Sequence, residues 1–203
     1  MHKVLVFVLI LVVLITGCAP AIREKLQTVY KDNYSVPNQP VLPPNIVFQK
    51  LIGSAGIKVE ILDCKAEADG GFILVGRKDY RLWIAKLSVT RALQWETTVP
   101  GSISSGIHVF QVNDGYLVAG GNGGSVAGYH GGSLDGWLLK FDLNGNLSWD
   151  KCFGGSGEDM LTDIAKTYDG NYVVCGYTDS TDGDLTGLNH GNKDAWIISF
   201  DSN

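Results

Sequence analysis

Asp169-Gly170-Asn171-Tyr172-Val173-Val174-Cys175-Gly176, followed by Ala195-Trp196-Ile197-Ile198-Ser199-Phe200, decides the fold because the pair occurs three times. Upstream stand Asp114-Gly115-Tyr116-Leu117-Val118-Ala119-Gly120 with Gly136-Trp137-Leu138-Leu139-Lys140-Phe141. Earlier still come Asp69-Gly70-Gly71-Phe72-Ile73-Leu74-Val75-Gly76 and Leu82-Trp83-Ile84-Ala85-Lys86-Leu87. The tryptophans Trp83, Trp137 and Trp196 are 54 and 59 residues apart, and Trp95 and Trp149 each lie twelve residues after the first two. Self-similarity at a fixed period is the signature of a repeat architecture.

Each unit reads as four short strands. In the second they fall near 107–112, 116–121, 136–141 and 147–153, rich in β-branched and aromatic residues and punctuated by Asp-Gly or Asn-Gly turns. Asn144-Gly145 predicts a tight hairpin between the third and fourth. Strands without helices, at about 50 residues per unit, predict an all-β fold, a β-propeller-like array of about three four-stranded blades. Asn45-Ile46-Val47-Phe48-Gln49-Lys50-Leu51-Ile52-Gly53 aligns with Asn146-Leu147-Ser148-Trp149-Asp150-Lys151-Cys152-Phe153-Gly154. Residues 46–52 are therefore expected to supply the outer strand of the last blade. Propellers have four to eight blades. Three leave open a six-bladed ring of two chains, a compact monomer, or a truncated relative of a longer protein.

The repeat resembles the propeller-like repeats of secreted and surface-anchored bacterial proteins, with their Asp-Gly-Gly-Tyr, Gly-Tyr-Thr, His-Gly-x-x-Asp-x-Trp and Gly-Gly-Ser-Gly-x-Asp elements. Here these stand as Asp169-Gly170-Asn171-Tyr172, Gly176-Tyr177-Thr178, His190-Gly191-Asn192-Lys193-Asp194-Ala195-Trp196 and Gly154-Gly155-Ser156-Gly157-Glu158-Asp159. The likeness runs from Asn45 to Asn203. The first unit departs most, with a short Arg77-Lys78-Asp79-Tyr80-Arg81 connection in place of a long glycine-rich loop. The resemblance implies the fold and says nothing of activity.

The start of the chain carries a different signal. Val4 to Ile15 run without a polar residue after His2 and Lys3. As a helix this stretch spans about 18 Å, short of the roughly 30 Å hydrocarbon core, and so reads as a signal-peptide core. Leu14-Ile15-Thr16-Gly17-Cys18 resembles the lipobox of bacterial lipoproteins, which implies cleavage before Cys18 and diacylation of its sulfur. Five of the six prolines precede Asn45, as in a stiff spacer. The expected organisation is a signal peptide over 1–17, the lipidated Cys18 and a proline-rich tether over 18–44, and the repeat domain over 45–203. The membrane is then a partner through the lipid. Ala19, where an aspartate would signal inner-membrane retention in some bacteria, leans the location toward the outer membrane or cell surface.

Hydrophobic residues make up 45% of the 203 and charged ones 18%, with a net charge of -5. That excludes a disordered chain, collagen and a coiled coil, and offers nucleic acid no basic footprint.

The best site candidates lie in two equivalent loops, Tyr129-His130-Gly131-Gly132-Ser133-Leu134-Asp135 and Asn189-His190-Gly191-Asn192-Lys193-Asp194. Tyr129, His130, Asp135, His190 and Asp194 are the candidate ligand contacts. The competing reading, in which each Asp caps a turn beside its His, outweighs it because a repeated blade repeats its turns. Asp179-Ser180-Thr181-Asp182-Gly183-Asp184 has oxygens for calcium but lacks the EF-hand pattern, and reads as a solvated acidic turn. Trp83, Trp137 and Trp196 read as core, with sugar stacking the lesser reading. Cys64, Cys152 and Cys175 read as small buried residues without disulfides or a metal. Neither a catalytic constellation nor a cofactor motif is recognisable. The expectation is a non-catalytic binding or scaffolding lipoprotein of the cell envelope, with a protein or glycan partner and a homodimer among its assemblies. The alternatives are a carbohydrate-active enzyme using Asp135, Asp194 and Glu158, and an outer-membrane assembly factor.

Overall fold

The computed structural model describes residues 47–101, 107–124 and 126–201. The expected signal peptide, Cys18 and the tether lie outside the described residues. The chain divides into two compact units, Met1–Lys50 and Leu51–Asn203, and every described strand belongs to the second.

The second unit is all-β, built of three antiparallel meanders. The first sheet is β1 (Val59–Ala66), β2 (Phe72–Lys78), β3 (Arg81–Leu87) and β4 (Leu93–Val99). The second is β5 (His108–Val112), β6 (Gly115–Asn122), β7 (Asp135–Asp142) and β8 (Leu147–Phe153). The third has three strands, β9 (Asp159–Lys166), β10 (Tyr172–Thr178) and β11 (Asp194–Phe200).

Period-two alternation distributes the apolar side chains over both sheet faces. On β3, Leu82 and Ile84 join Tyr116, Val118, Trp137, Leu139 and Phe141 in a core between the first and second sheets. Leu117, Ala119 and Leu138 face the other way and meet Leu161, Ile164, Tyr172 and Val174 of the third sheet. The second sheet is thus covered on both faces, and β6 and β7 are buried almost throughout. Each strand tryptophan looks back toward the preceding sheet. Trp137 enters the first core, and Trp196 packs against the second. Trp83 points away from the second sheet into a smaller cluster with Leu74, Ala85 and Leu87, which Ile52 and Val59 flank. Trp83 and Trp137 are fully buried, as the sequence leads one to expect; each such side chain contributes upward of about 2 kcal/mol of transfer energy.

The Asn144-Gly145 hairpin forms. Gly145 donates to the Asp142 carbonyl at 3.1 Å and Asp142 to the Asn146 carbonyl at 2.9 Å. Gly145 holds φ at +82°, and the Trp95 ring of the first sheet lies against its Cα where a Cβ would stand. The Thr97 hydroxyl donates to its carbonyl at 2.7 Å. One glycine therefore serves both the turn and the sheet-to-sheet contact.

Among the described residues, 47–52 carry no strand and β11 is hydrogen-bonded to β10 alone, so completion of the last sheet by the N-terminal segment is not shown. Val47 and Leu51 are 94% and 100% exposed, and a strand without a paired neighbour has nothing to hold it extended. One expectation fails: of the described cysteines only Cys152 is buried, whereas Cys64 and Cys175 are exposed. All three are free thiols.

Candidate functional site at the loop end of the second and third sheets

The segment Gly154-Gly155-Ser156-Gly157-Glu158 leads from β8 into β9 and presents five successive backbone amides, each taken by a side-chain oxygen. Gly154 donates to Asp184 at 3.2 Å, Gly155 to Asp159 at 2.9 Å, Ser156 to Asp182 at 2.7 Å and Gly157 to the Ser180 hydroxyl at 2.8 Å. Glu158 donates to Asp179. The glycines are required by this approach: a Cβ on Gly157 would overlap the Asp179 carboxylate, and one on Gly155 that of Asp182. The acidic run 179–184 is consequently no free solvated turn. Each of its three carboxylates gives one oxygen to an amide of the neighbouring loop. Among the described residues no group of three or more His, Cys, Asp or Glu side chains is arranged to hold a metal.

Asp159 anchors the cluster. It is fully buried and accepts from the Thr178 hydroxyl, the Ser180 hydroxyl (2.7 Å) and Gly155. The same segment ties the two sheets together, since Asp159 donates to the Leu134 carbonyl at 2.8 Å and Ser133 to the Gly157 carbonyl at 3.3 Å.

The two histidine loops share one geometry. The His130 amide donates to Asp135 Oδ2 at 2.6 Å, and its Nδ1 lies 2.8 Å from the same oxygen. In the third sheet the His190 amide donates to Asp194 Oδ2 at 2.6 Å, with Nδ1 at 3.3 Å. Each aspartate opens its tryptophan strand and closes the preceding loop upon itself. Burial differs between the copies: Asp135 is fully buried, while the His190 side chain is 89% exposed. Burial pushes the Asp135 carboxyl above its ordinary value despite the opposing His130 contacts. Asp135 Oδ1 has no hydrogen-bond partner, nor has Nδ2 of Asn122, its register partner on β6. The Tyr129 hydroxyl donates to the Gly132 carbonyl at 2.8 Å, inside its own loop.

Glu158 is equally occupied. It accepts from the Tyr177 hydroxyl at 2.7 Å and pairs with Lys193 at 3.0 Å, and these two partners hold its carboxyl below the usual range. Lys193 also stands 4.2 Å over the Tyr177 ring. Tyr177, Lys193 and His190 form the polar rim of the third sheet at this end.

A further cluster escaped sequence reasoning. Asp63 on β1, His108 on β5 and Asp163 on β9 pair with Val75, Ala119 and Cys175, the same register position in the three sheets. His108 Nδ1 lies 3.0 Å from Asp63, and Nε2 lies 2.9 Å from Asp163. One imidazole thereby links the first strands of all three sheets. The signal was present, for each of these residues stands six positions before the Asp of an Asp-Gly turn.

Two clefts border β11. One of about 320 Å³ is lined by Leu185, Leu188, His190, Asp194 and Trp196. The other, of about 470 Å³, lies between Trp149 and Phe153 of β8 and Ile198 and Phe200 of β11. Compared with known proteins, the chain matches no family model and no curated protein.

Proposed function

We propose that this chain is a lipoprotein of the bacterial cell envelope, anchored in the outer membrane or at the cell surface by lipid on Cys18. Its three sheets belong to a propeller-like domain that binds or scaffolds a protein or glycan and performs no catalysis. The anchor rests on Leu14-Ile15-Thr16-Gly17-Cys18 and the proline-rich spacer behind it. The observation that carries the non-catalytic role is the fate of the acids. Asp135 and Asp159 are closed off from solvent, Asp194 caps its loop, and Glu158 is held by Tyr177 and Lys193. A general acid or base needs an open line to a substrate proton, and these groups are buried or held by neighbouring amides, hydroxyls and Lys193. What the loop end offers a partner is the exposed His190 ring and the Tyr177–Lys193 pair.

The test runs the native chain and the Glu158→Gln and Asp194→Asn variants against envelope polysaccharides and surface proteins, scoring retention and hydrolysis in parallel. Retention without product by the native chain is the expected result. Turnover that either variant abolishes would overturn the reading. Membrane fractionation of Cys18→Ser addresses the anchor separately: the variant moves to the soluble fraction.

A further inference from the structure

Asp63 and Asp163 are brought to His108 by the same local device. On β1 the register shifts between Ile61 and Asp63, and on β9 between Leu161 and Asp163, so that Leu62 and Thr162 have no residue opposite. β5 pairs without a shift and carries His108 between them. A β-bulge re-aims a side chain out of the regular alternation, and here two bulges serve one imidazole. The residue type at this register position also changes from sheet to sheet, acid, base, acid, where a purely structural repeat would keep it constant.

The ring stands 3.0 Å from Asp63 Oδ2 through Nδ1 and 2.9 Å from Asp163 Oδ1 through Nε2. A neutral imidazole carries a proton on one nitrogen only, and its other nitrogen is an acceptor. In that state one of the two contacts sets a bare nitrogen beside a carboxylate oxygen. Neither oxygen is placed to carry the proton itself. Asp63 Oδ2 accepts the Val109 amide at 3.0 Å, and Asp163 Oδ1 accepts the Ile164 amide at 2.8 Å. Lys65, 3.3 Å from Asp63, adds a positive charge that keeps this carboxylate ionised. Cys175 faces Asp163 from β10, while Val75 and Ala119, opposite Asp63 and His108 on β2 and β6, carry no charge. Only the imidazolium, with a donor on each nitrogen, suits both neighbours. The His108 side chain is 22% exposed, so solvent protons reach it.

We propose that His108 is a proton-operated clasp: a second ring proton, taken from solvent as the pH falls through the range where histidine changes charge, fastens β9 and β1 to β5. The seam it secures runs between the second and third sheets. At the loop end that seam is already held by the Asp159–Leu134 and Ser133–Gly157 backbone bonds. On the alkaline side it keeps those bonds and its apolar face and loses the clasp. A proton held more tightly by the folded cluster than by the unfolded chain adds stability below the ordinary imidazole range, about 6.5, and the addition is lost as pH rises. This inference uses residues of β1, β5 and β9 and does not depend on the envelope reading.

Urea unfolding of the full chain and of its His108→Gln and Asp163→Asn variants, at about pH 8 and about pH 6, tests the clasp. Glutamine keeps a polar side chain at this place and cannot gain the proton. As the pH falls between these values, the native chain should gain about two- to fivefold on each variant in its ratio of folded to unfolded molecules. The gain is modest because Asp163 is 59% exposed. A difference between native and variant that is the same at both pH values would make the cluster a fixed contact and overturn the proposal. So would a native chain that gains on the variants toward the alkaline side. Should a variant fail to fold, NMR of the histidine rings in the native chain decides. His108 should still hold both ring protons at a pH where the exposed ring of His190 has released one, and two rings that change together would refute the clasp.

Discussion

His108 on β5 stands 2.9 Å from Asp163 on β9, at the same register position of adjacent sheets. Asp63 on β1 completes the line from the other side and also accepts the Val109 amide at 3.0 Å. The three sheets are thus joined through their first strands by polar contacts as well as through their faces by apolar ones. Asp163 is 59% exposed, so solvent screens its half of the contact. A double-mutant cycle with His108→Ala and Asp163→Ala is expected to give a coupling of about 0.5–1 kcal/mol in urea denaturation. A coupling of zero would mean that the sheets are held by their faces alone.

Gly145→Ala strains a left-handed turn and drives a methyl into the Trp95 ring at once. The backbone term alone is about 1–2 kcal/mol, and the clash adds to it. Thermal unfolding should show a lower midpoint than Gly123→Ala, a substitution at an exposed glycine outside the left-handed region. Equal midpoints would contradict the double role given to this glycine.

The cysteines offer a direct check on burial. Cys152 is 3% exposed, and burial pushes its thiol up to about 12, so little thiolate is present at neutral pH. Cys64 and Cys175 are exposed. A thiol reagent should label two cysteines of the folded repeat domain rapidly and the third only on denaturation. Rapid labelling of Cys152 would mean that the core between the first two sheets is open.

Acid should unfold the domain through its loop acids. The Ser156 amide holds Asp182 below its ordinary 3.8, and Tyr177 with Lys193 holds Glu158 below 4.5. The Asn146 side chain does the same for Asp142. A carboxyl lowered in the folded state contributes stability that is complete above its unfolded value and lost as pH falls through the folded one. Asp135, raised by burial, acts in the opposite sense, its contribution being lost as pH rises through its folded value. The lowered acids outnumber it. Urea midpoints should therefore hold from pH 7 to about 5 and fall below about 4. A midpoint that climbs on acidification below pH 4 would show Asp135 to dominate.

Much of the fold was legible because the repeat combines a left-handed Asp-Gly turn with a tryptophan strand, and each part reports local geometry. Trp137 and the Asn144-Gly145 hairpin lie where the sequence sets them. Residues 47–52 carry no strand, because a strand-like pattern does not by itself supply the paired neighbour that holds a segment extended. Cys64 and Cys175 were misplaced because strand pattern does not say which faces stay uncovered. The row of amides at Gly154–Glu158 was invisible for another reason: four of its five acceptors lie 21 to 30 residues away and meet it only after the sheets stack. His108 was missed because Asp, His and Asp at one register position disguise the repeat. The two histidine loops share one hydrogen-bonding pattern, but their unequal burial comes from neighbours rather than from the loops.

The account turns on a repeat domain held at a membrane by lipid on Cys18. Membrane fractionation of cells producing the full chain and its Cys18→Ser variant tests this most directly. The account predicts the native chain in the membrane fraction and the variant in the soluble one. A native chain in the soluble fraction, or a variant that stays with the membranes, would contradict it.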